Sequence, residues 1–176
     1  MKILLAIDSS AHSDRAIDVV SRQALAEDTE IHVLFVVEHI VPMAYGMGVI
    51  DTTAYDALER DTNELARSTI EKAADRLRSS GPAARAMITT SVGSGSPKRV
   101  ILDTAEALRA DLIVVGSHGY GAVNRFLLGS VSQAIAQHAE CSVLIVRTPN
   151  EPEHNQPDAD SLTSARPHHV ETMLRE

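Results

Sequence analysis

The residues best suited to chemistry form a glycine-spaced segment in the last third of the chain. Residues 116–119 (GSHG) are followed by nine residues and then by Gly129 and Ser130. Glycines let backbone N–H groups approach a ligand without obstruction by Cβ, and a helix N-terminus adds unpaired donors and partial positive charge. The segment follows an apolar strand and opens a helix, so it predicts a phosphate site. The alternative is that these glycines only make a turn and cap the helix.

Polar side chains around this segment can contribute to such a site. The hydroxyls of Ser130 and Ser132 can donate hydrogen bonds to phosphate oxygens. His118 can approach the phosphate, but an exposed loop histidine without a catalytic duty is the preferred interpretation. Arg125, or a bound divalent metal, can neutralise phosphate charge in so acidic a chain.

The elements that position these residues alternate along the sequence. Apolar runs predict strands at residues 2–7, 31–37, 111–115 and 142–147, and more weakly at 85–91. Helices are predicted over residues 13–26 and 51–79, after Ser96 as N-cap with Pro97 at the first position, and from about Ser130. Their apolar stripes comprise Ala16, Ile17, Val20 and Ala24 in the first helix, and Tyr55, Leu58, Leu65, Ala66, Ala73 and Leu77 in the second.

Strand and helix alternation predicts a single doubly wound α/β domain with a five-stranded parallel sheet of order 3-2-1-4-5. In that order strands 1 and 4 are neighbours at the topological switch point, where ligands bind. Asp8, at the end of strand 1, then meets Gly116, at the end of strand 4. An Asp before Ser9 and Ser10 can also simply form a turn or cap a helix.

Several stretches resemble one known family. The pattern Gly-x2-Gly-x9-Gly-Ser is similar to the nucleotide signature of universal stress proteins of the ATP-binding subclass. The stretches KILLAIDSS, ADLIVVGSHG and CSVLIVR, and the pattern Val92-x-x-Gly95-x-Pro97, match as well. The resemblance covers about residues 1–148 and implies a fold like that of the adenine-nucleotide alpha-hydrolases.

The resemblance also implies a set of ligand contacts. It implies ATP as the ligand, with AMP or ADP possible and Mg or Mn as a possible companion. Asp8 matches the acidic residue facing the ribose or the phosphate-metal region, and Val36 matches the position whose backbone reads adenine, with Val37 as the alternative register. The remaining matches, in the phosphate- and ribose-contacting loop and helix start, are Gly116, Gly119, Gly129, Ser130 and Val131.

Composition excludes several other classes of function. Aromatic residues make up 3% of the chain, Trp is absent and the net charge is −8, which disfavours a nucleic-acid partner. No apolar run approaches a membrane span, and Asp8 interrupts the N-terminal apolar run too early for a signal peptide. The single cysteine, Cys141, fits a reducing compartment and is interpreted as a structural thiol. A cytoplasmic protein is expected.

Motifs of other nucleotide-binding and metal-binding classes are absent, because the residue spacing they require does not occur. The chain lacks Gly-x4-Gly-Lys-Ser/Thr, so no classical P-loop is present. Residues 93–95 (GSG) precede Lys98 rather than a third glycine, and a linker before a capped helix is predicted there. The eight histidines show no metal-ligand spacing. With few catalytic candidates, the sequence favours a nucleotide-dependent regulatory module; a slow ATPase or phosphotransferase and a dimer scaffold with a vestigial pocket are the alternatives.

The ends of the predicted domain give two further expectations. Residues 150–176 contain six acidic and two basic residues and little apolar content, which predicts an acidic, flexible tail after a domain spanning residues 1–149. The fifth strand is a sheet edge, and the family commonly dimerises through this strand. A homodimer is therefore expected through Val143, Leu144 and Ile145, unless the helices and the tail cover that edge in a monomer.

Overall fold

The computed structural model describes residues 1–26, 28–38, 52–79, 81–119 and 128–148. Strands and helices alternate along these ranges, and a single 3-10 turn, Pro82–Arg85, precedes the third strand. The elements are β1 (Lys2–Ile7), α1 (Ala11–Arg22), β2 (Glu30–Val37), α2 (Thr52–Ser79), β3 (Met87–Ser94), α3 (Pro97–Leu108), β4 (Leu112–Gly116), α4 (Ser130–His138) and β5 (Ser142–Val146).

The strands form one five-stranded sheet of order β3-β2-β1-β4-β5, in which every pairing is parallel. Ile3 lies in register with Ile31 on one side and with Leu112 on the other. The predicted fold class and strand order are therefore confirmed.

The core has two layers, one on each face of the sheet. Successive side chains of a strand point to opposite faces, so Ile3, Leu5 and Ile7 pack beneath α1 and α2, while Leu4 and Ala6 pack in the layer that contains Ile101, Ala105 and Ile135 of α3 and α4. Leu4 and Leu5 are both fully buried. The continuous apolar runs in the sequence are explained by burial on both faces.

The first helix begins and ends earlier than predicted. The expectation was residues 13–26, but Ser10 is the N-cap, and its hydroxyl accepts a hydrogen bond from Ser13 N at 3.3 Å. At the other end Gln23 has extended backbone angles, so Ala24 lies outside the helix and is exposed. Ala16, Ile17 and Val20 are buried as expected.

The predicted stripe of α2 is correct only in its second half. Ala66, Ala73 and Leu77 are buried, whereas Leu58 and Leu65 are 63% and 53% exposed; the side chain of Tyr55 lies outside the described part of the chain. The helix has 28 residues, about 42 Å at the usual rise, and it therefore exceeds the roughly 26 Å of an eight-residue strand beneath it.

Within the described ranges, no helix combines the length and apolarity that crossing a membrane requires.

The third strand occupies a different stretch from the one predicted. It spans Met87–Ser94 instead of residues 85–91, because the turn Pro82–Arg85 uses the first of those residues. Gly93 and Ser94 are part of the strand, and Gly95 follows with a φ of 125°. Residues 93–95 are thus the end of a strand and a turn into α3, and the linker prediction is wrong.

Candidate functional site

The predicted site residues meet at the carboxyl edge of the sheet. A cavity of about 500 Å³ opens there between the ends of β1, β2 and β4 and the N-termini of α3 and α4. This volume is typical of small-molecule sites. The lining includes every one of the predicted residues: Asp8, Val36, Gly116, Gly119, Gly129, Ser130 and Val131.

Asp8 sits where β1 turns into α1. Its Oδ1 accepts hydrogen bonds from Ser10 N at 3.0 Å and from Ser13 Oγ at 2.6 Å. Ser13 Oγ in turn accepts a hydrogen bond from Asp8 N at 2.9 Å. The turn-forming role considered for Asp8 is therefore real. It is compatible with a ligand role, because Oδ2 is directed at Gly119, where an added Cβ would stand only 2.8 Å away.

Gly116 ends β4 in close contact with α1. A Cβ at this position would lie 2.8 Å from His12 Cβ and 3.0 Å from the His12 carbonyl carbon. Both distances are below normal van der Waals contact, so glycine is required for α1 to pack against β4. Gly116 therefore has a structural role that the motif alone did not reveal.

The two ends of the glycine segment are joined by hydrogen bonds. Gly129 N donates to Ser117 O at 2.8 Å. The buried hydroxyl of Ser132 lies within donor distance of Ser117 O at 2.9 Å and of Gly129 O at 3.0 Å. Ser132 lines the cavity, and its Oγ is engaged with the backbone there, whereas Ser130 is exposed at the helix start; the phosphate contacts of both hydroxyls stay predictions.

The start of α4 offers backbone donors to the cavity. Gly129 is the N-cap and makes no side-chain capping bond. The amides of the first helical turn have no acceptor within a helix, and Ser130 and Val131 line the cavity. This end of the cavity can thus accept an anion.

His118 is half-buried and lines the cavity, which corrects the expectation of an exposed loop histidine. Its Nδ1 lies 3.2 Å from Ser117 Oγ. Its ring is tilted by 54° against the ring of His12, with 5.3 Å between the centroids. The two histidine rings therefore contact each other, and His118 is the member of the pair that lines the cavity.

The opposite end of the cavity is apolar. Val36 of β2 lines this end, whereas the side chain of Val37 is 4% exposed in the other core layer. Sequence reasoning missed several residues that line the cavity. Two of them, Leu34 and Glu38, could have been found from Val36, because alternate residues of a strand lie on the same face. The further lining residues are Ala6, Ile7, Ser13, Pro97, Ile101, Val115 and Ser132.

The described lining is acidic. It contains Asp8 and Glu38 and, among the residues that the structure describes, no lysine or arginine; Arg125 lies outside those residues. The described ranges also hold no cluster of three or more His, Cys, Asp or Glu side chains placed to bind a metal ion.

Cys141 and β5 lie away from this cavity. Burial raises the pKa of the half-buried Cys141 thiol, which disfavours the reactive thiolate.

In β5, Leu144 packs toward α1, while Val143 and Ile145 pack toward the opposite layer. Among the described strands β5 pairs only with β4, so its other backbone edge is the feature available for pairing.

Comparisons with known proteins agree with this architecture. The chain is 33% identical over 156 residues to a candidate universal stress protein of Staphylococcus epidermidis, covering 88% of this chain and 89% of that protein. It is 34% identical over 160 residues to a Staphylococcus haemolyticus relative of the same description, covering 89% and 90%.

Solved structures share the fold at lower identity. Universal stress protein UspA from Lactobacillus plantarum has a TM-score of 0.68 at 22% identity, covering 84% of this chain and 97% of that chain. A family protein from Arabidopsis thaliana with AMP bound has a TM-score of 0.54 at 20% identity, covering 84% and 91%. One from Archaeoglobus fulgidus in complex with dAMP has a TM-score of 0.57 at 21% identity, covering 83% and 97%.

The sequence model of the universal stress protein family matches residues 1–147, which is most of the chain. This match and the relatives above 30% identity point to the same group. The chain belongs to the universal stress protein family.

Proposed function

We propose that this protein binds ATP at the carboxyl edge of its sheet and acts in the cytoplasm as a nucleotide-dependent regulatory module of a stress response. The observation that carries the proposal is the convergence of the glycine segment, Asp8 and the start of α4 on one cavity with an apolar end. The AMP and dAMP complexes of family structures support an adenine nucleotide as the ligand.

The two ends of the cavity suggest how the nucleotide lies. Adenine is flat and apolar on its faces, so it fits the end formed by Val36, Leu34 and Ile101. The phosphates then lie against Gly119, Gly129 and the first amides of α4, where backbone donors and the helix dipole favour negative charge.

Because the lining is acidic, a bound cation would favour the binding of a triphosphate by reducing charge repulsion. Asp8 fits a Mg²⁺ or Mn²⁺ ion that is bound mainly by the nucleotide, because such ions use one or two carboxylates together with phosphate oxygens. The bound ion would neutralise phosphate charge beside Asp8 and Glu38. We therefore expect ATP binding to depend on the metal more strongly than AMP binding.

Regulation is favoured over turnover by the chemistry of the described lining. Phosphoryl transfer requires positioned cations and a group that orients the nucleophile. Asp8 is the available carboxylate near the glycine segment, and its Oδ1 already accepts two hydrogen bonds. Slow ATP hydrolysis or phosphotransfer from the same cavity is the alternative. Phosphate release measured with Mg²⁺, beside Asp8→Ala, separates the two functions: release that Asp8→Ala abolishes favours the enzyme.

Calorimetry tests the site directly. ATP, ADP and AMP are titrated with and without Mg²⁺ into the wild type, Gly129→Leu and the control Ala107→Leu, which adds the same side chain on the exposed face of α3. A Cβ at Gly129 already stands 3.2 Å from Ser117 O, so the leucine should abolish binding, whereas the control should not. Unchanged affinity in folded Gly129→Leu would disprove the site.

The identity of the ligand has a second, independent test. Mass spectrometry of small molecules released from the denatured, purified protein should detect an adenine nucleotide. Release of a different ligand class, together with no calorimetric signal for any adenine nucleotide, would contradict the proposed function.

A further inference from the structure

A hydroxyl–imidazole–hydroxyl chain crosses β2 and β3 away from the nucleotide cavity. His32 Nε2 lies 2.7 Å from Ser91 Oγ, and His32 Nδ1 lies 2.8 Å from Thr89 Oγ1. His32 is directly opposite Thr89 in the strand register, and Ser91 is opposite Leu34. None of the three side chains lines the nucleotide cavity.

We propose that Ser91 is a nucleophilic serine, with His32 as its general base and Thr89 as the residue that orients the imidazole, and that it accepts acyl groups from activated esters. A neutral imidazole has one N–H donor and one acceptor nitrogen. With Nδ1–H donated to Thr89 Oγ1, Nε2 accepts the Ser91 hydroxyl proton, which is the arrangement that activates a serine.

The surroundings of His32 keep the imidazole available as a base. Burial lowers its pKa, because desolvation disfavours the charged ring. The lowered pKa favours the neutral ring, which is the form that can take a proton. Ser91 is half-buried and Thr89 is exposed, so a small ester can reach the pair from solvent.

The strand edge supplies a backbone donor beside Ser91. Met87 N donates to Thr29 O and Gly95 N donates to Val37 O, so the alternate amides of β3 from residue 87 face β2. The amide of Val92 accordingly faces away from β2, at what is an open edge among the described strands. The N–H after a nucleophilic serine is a common donor to the oxyanion of acyl transfer.

The chemical step balances without another reactant. Ser91 Oγ attacks the carbonyl carbon of the ester and its proton moves to His32 Nε2. The bond from that carbon to the alcohol or phenol oxygen then breaks, and the leaving oxygen takes the proton from His32. The products are acyl-Ser91 and the free alcohol or phenol.

The full chain treated with p-nitrophenyl acetate tests this proposal. The readouts are p-nitrophenolate release and the position of the acetyl group by peptide mass spectrometry. Acetyl should appear on Ser91 and disappear in Ser91→Ala. In His32→Gln the rate of Ser91 acetylation should fall at least ~100-fold, the usual contribution of a general base.

Variants of the threonines distinguish activation from a structural effect. Thr89→Ala should slow acetylation and Thr89→Ser should restore it. Thr90→Ala, on the opposite face of the same strand, should leave the rate unchanged while circular dichroism confirms the fold of each variant. Acetyl only on lysines or the N-terminus, equal Ser91 labelling in folded His32→Gln, or a phenolate burst that persists in Ser91→Ala would each overturn the proposal.

Discussion

Ser13 and Asp8 are joined by two hydrogen bonds, both of which involve the Ser13 hydroxyl. The Ser13 hydroxyl donates to Asp8 Oδ1 at 2.6 Å and accepts from Asp8 N at 2.9 Å, although the two residues belong to α1 and to the turn before it. Ser13 is 4% exposed. The same contact therefore fixes the start of α1 and the orientation of the carboxylate that lines the cavity.

Removal of this contact should destabilise the protein. Ser13→Ala removes the hydroxyl that accepts from Asp8 N and donates to Asp8 Oδ1, and the loss of such a buried hydrogen-bonding group typically costs about 1–3 kcal/mol in the free energy of unfolding. Urea denaturation of Ser13→Ala, Asp8→Ala and the double variant measures the coupling between the residues. Strictly additive losses would show that the contact has no energetic weight.

Gly116→Ala should destabilise the fold even without a ligand. The new Cβ meets His12 Cβ at 2.8 Å and the His12 carbonyl carbon at 3.0 Å, and overpacking of this kind costs about 1–3 kcal/mol. Thermal unfolding measures the loss. His12→Ala should not rescue it, because that variant keeps the contacting atoms; full rescue would contradict the steric explanation.

Thr29→Val should stabilise the protein. Thr29 is 1% exposed, and its Oγ1 has no hydrogen-bond partner within the described ranges. Replacing an unpaired buried hydroxyl by a methyl group of similar shape should raise the free energy of unfolding by about 1 kcal/mol or more. Thr90→Val, at an exposed position, should change it little. A loss of stability in Thr29→Val would mean that the hydroxyl has a partner.

The protein should form a homodimer through the edge of β5 that no described strand pairs with. An unpaired apolar edge favours pairing with a second copy, and a twofold axis would place Val143, Leu144 and Ile145 of both chains together. Light scattering at micromolar concentration should give twice the mass of the chain, and Ile145→Lys should shift it toward the monomer. Because Ile145 is half-buried against the α3 and α4 layer, circular dichroism must show that the variant is folded. A monomeric wild type would refute the dimer.

The doubly wound fold class and the glycine segment of the cavity were accessible from sequence because they depend on local patterns, whereas Val36 and Val131 were assigned through the family resemblance. Glycine spacing, an Asp at the end of an apolar run and unbroken Ile/Leu/Val stretches each reflect constraints within a few residues. Asp8 and Gly116 could be placed together because parallel strands 1 and 4 bring their carboxyl ends to one edge.

The features missed depend on contacts between distant parts of the chain. The role of Gly116 against His12 needs the packing of α1 on β4, and the exposure of Leu58 needs the length of α2 relative to the sheet. The hydrogen bond from Ser132 to Ser117 O could not be predicted, because it joins residues on the two sides of the glycine segment. Helix and strand ends shifted where a local cap or turn, such as Ser10 or Pro82–Arg85, competed with the apolar period.

The central position of β1 has a consequence for biosynthesis. β1 leaves the ribosome before the other described strands and can pair with β2 early, but its other partner, β4, begins only at Leu112. At usual translation rates the second edge of β1 waits about 5–20 s for that partner. An apolar edge thus stays open in the nascent chain, and Asp8 cannot meet Gly119 during this interval. The proposed nucleotide site can therefore assemble only after Gly119 has been synthesised.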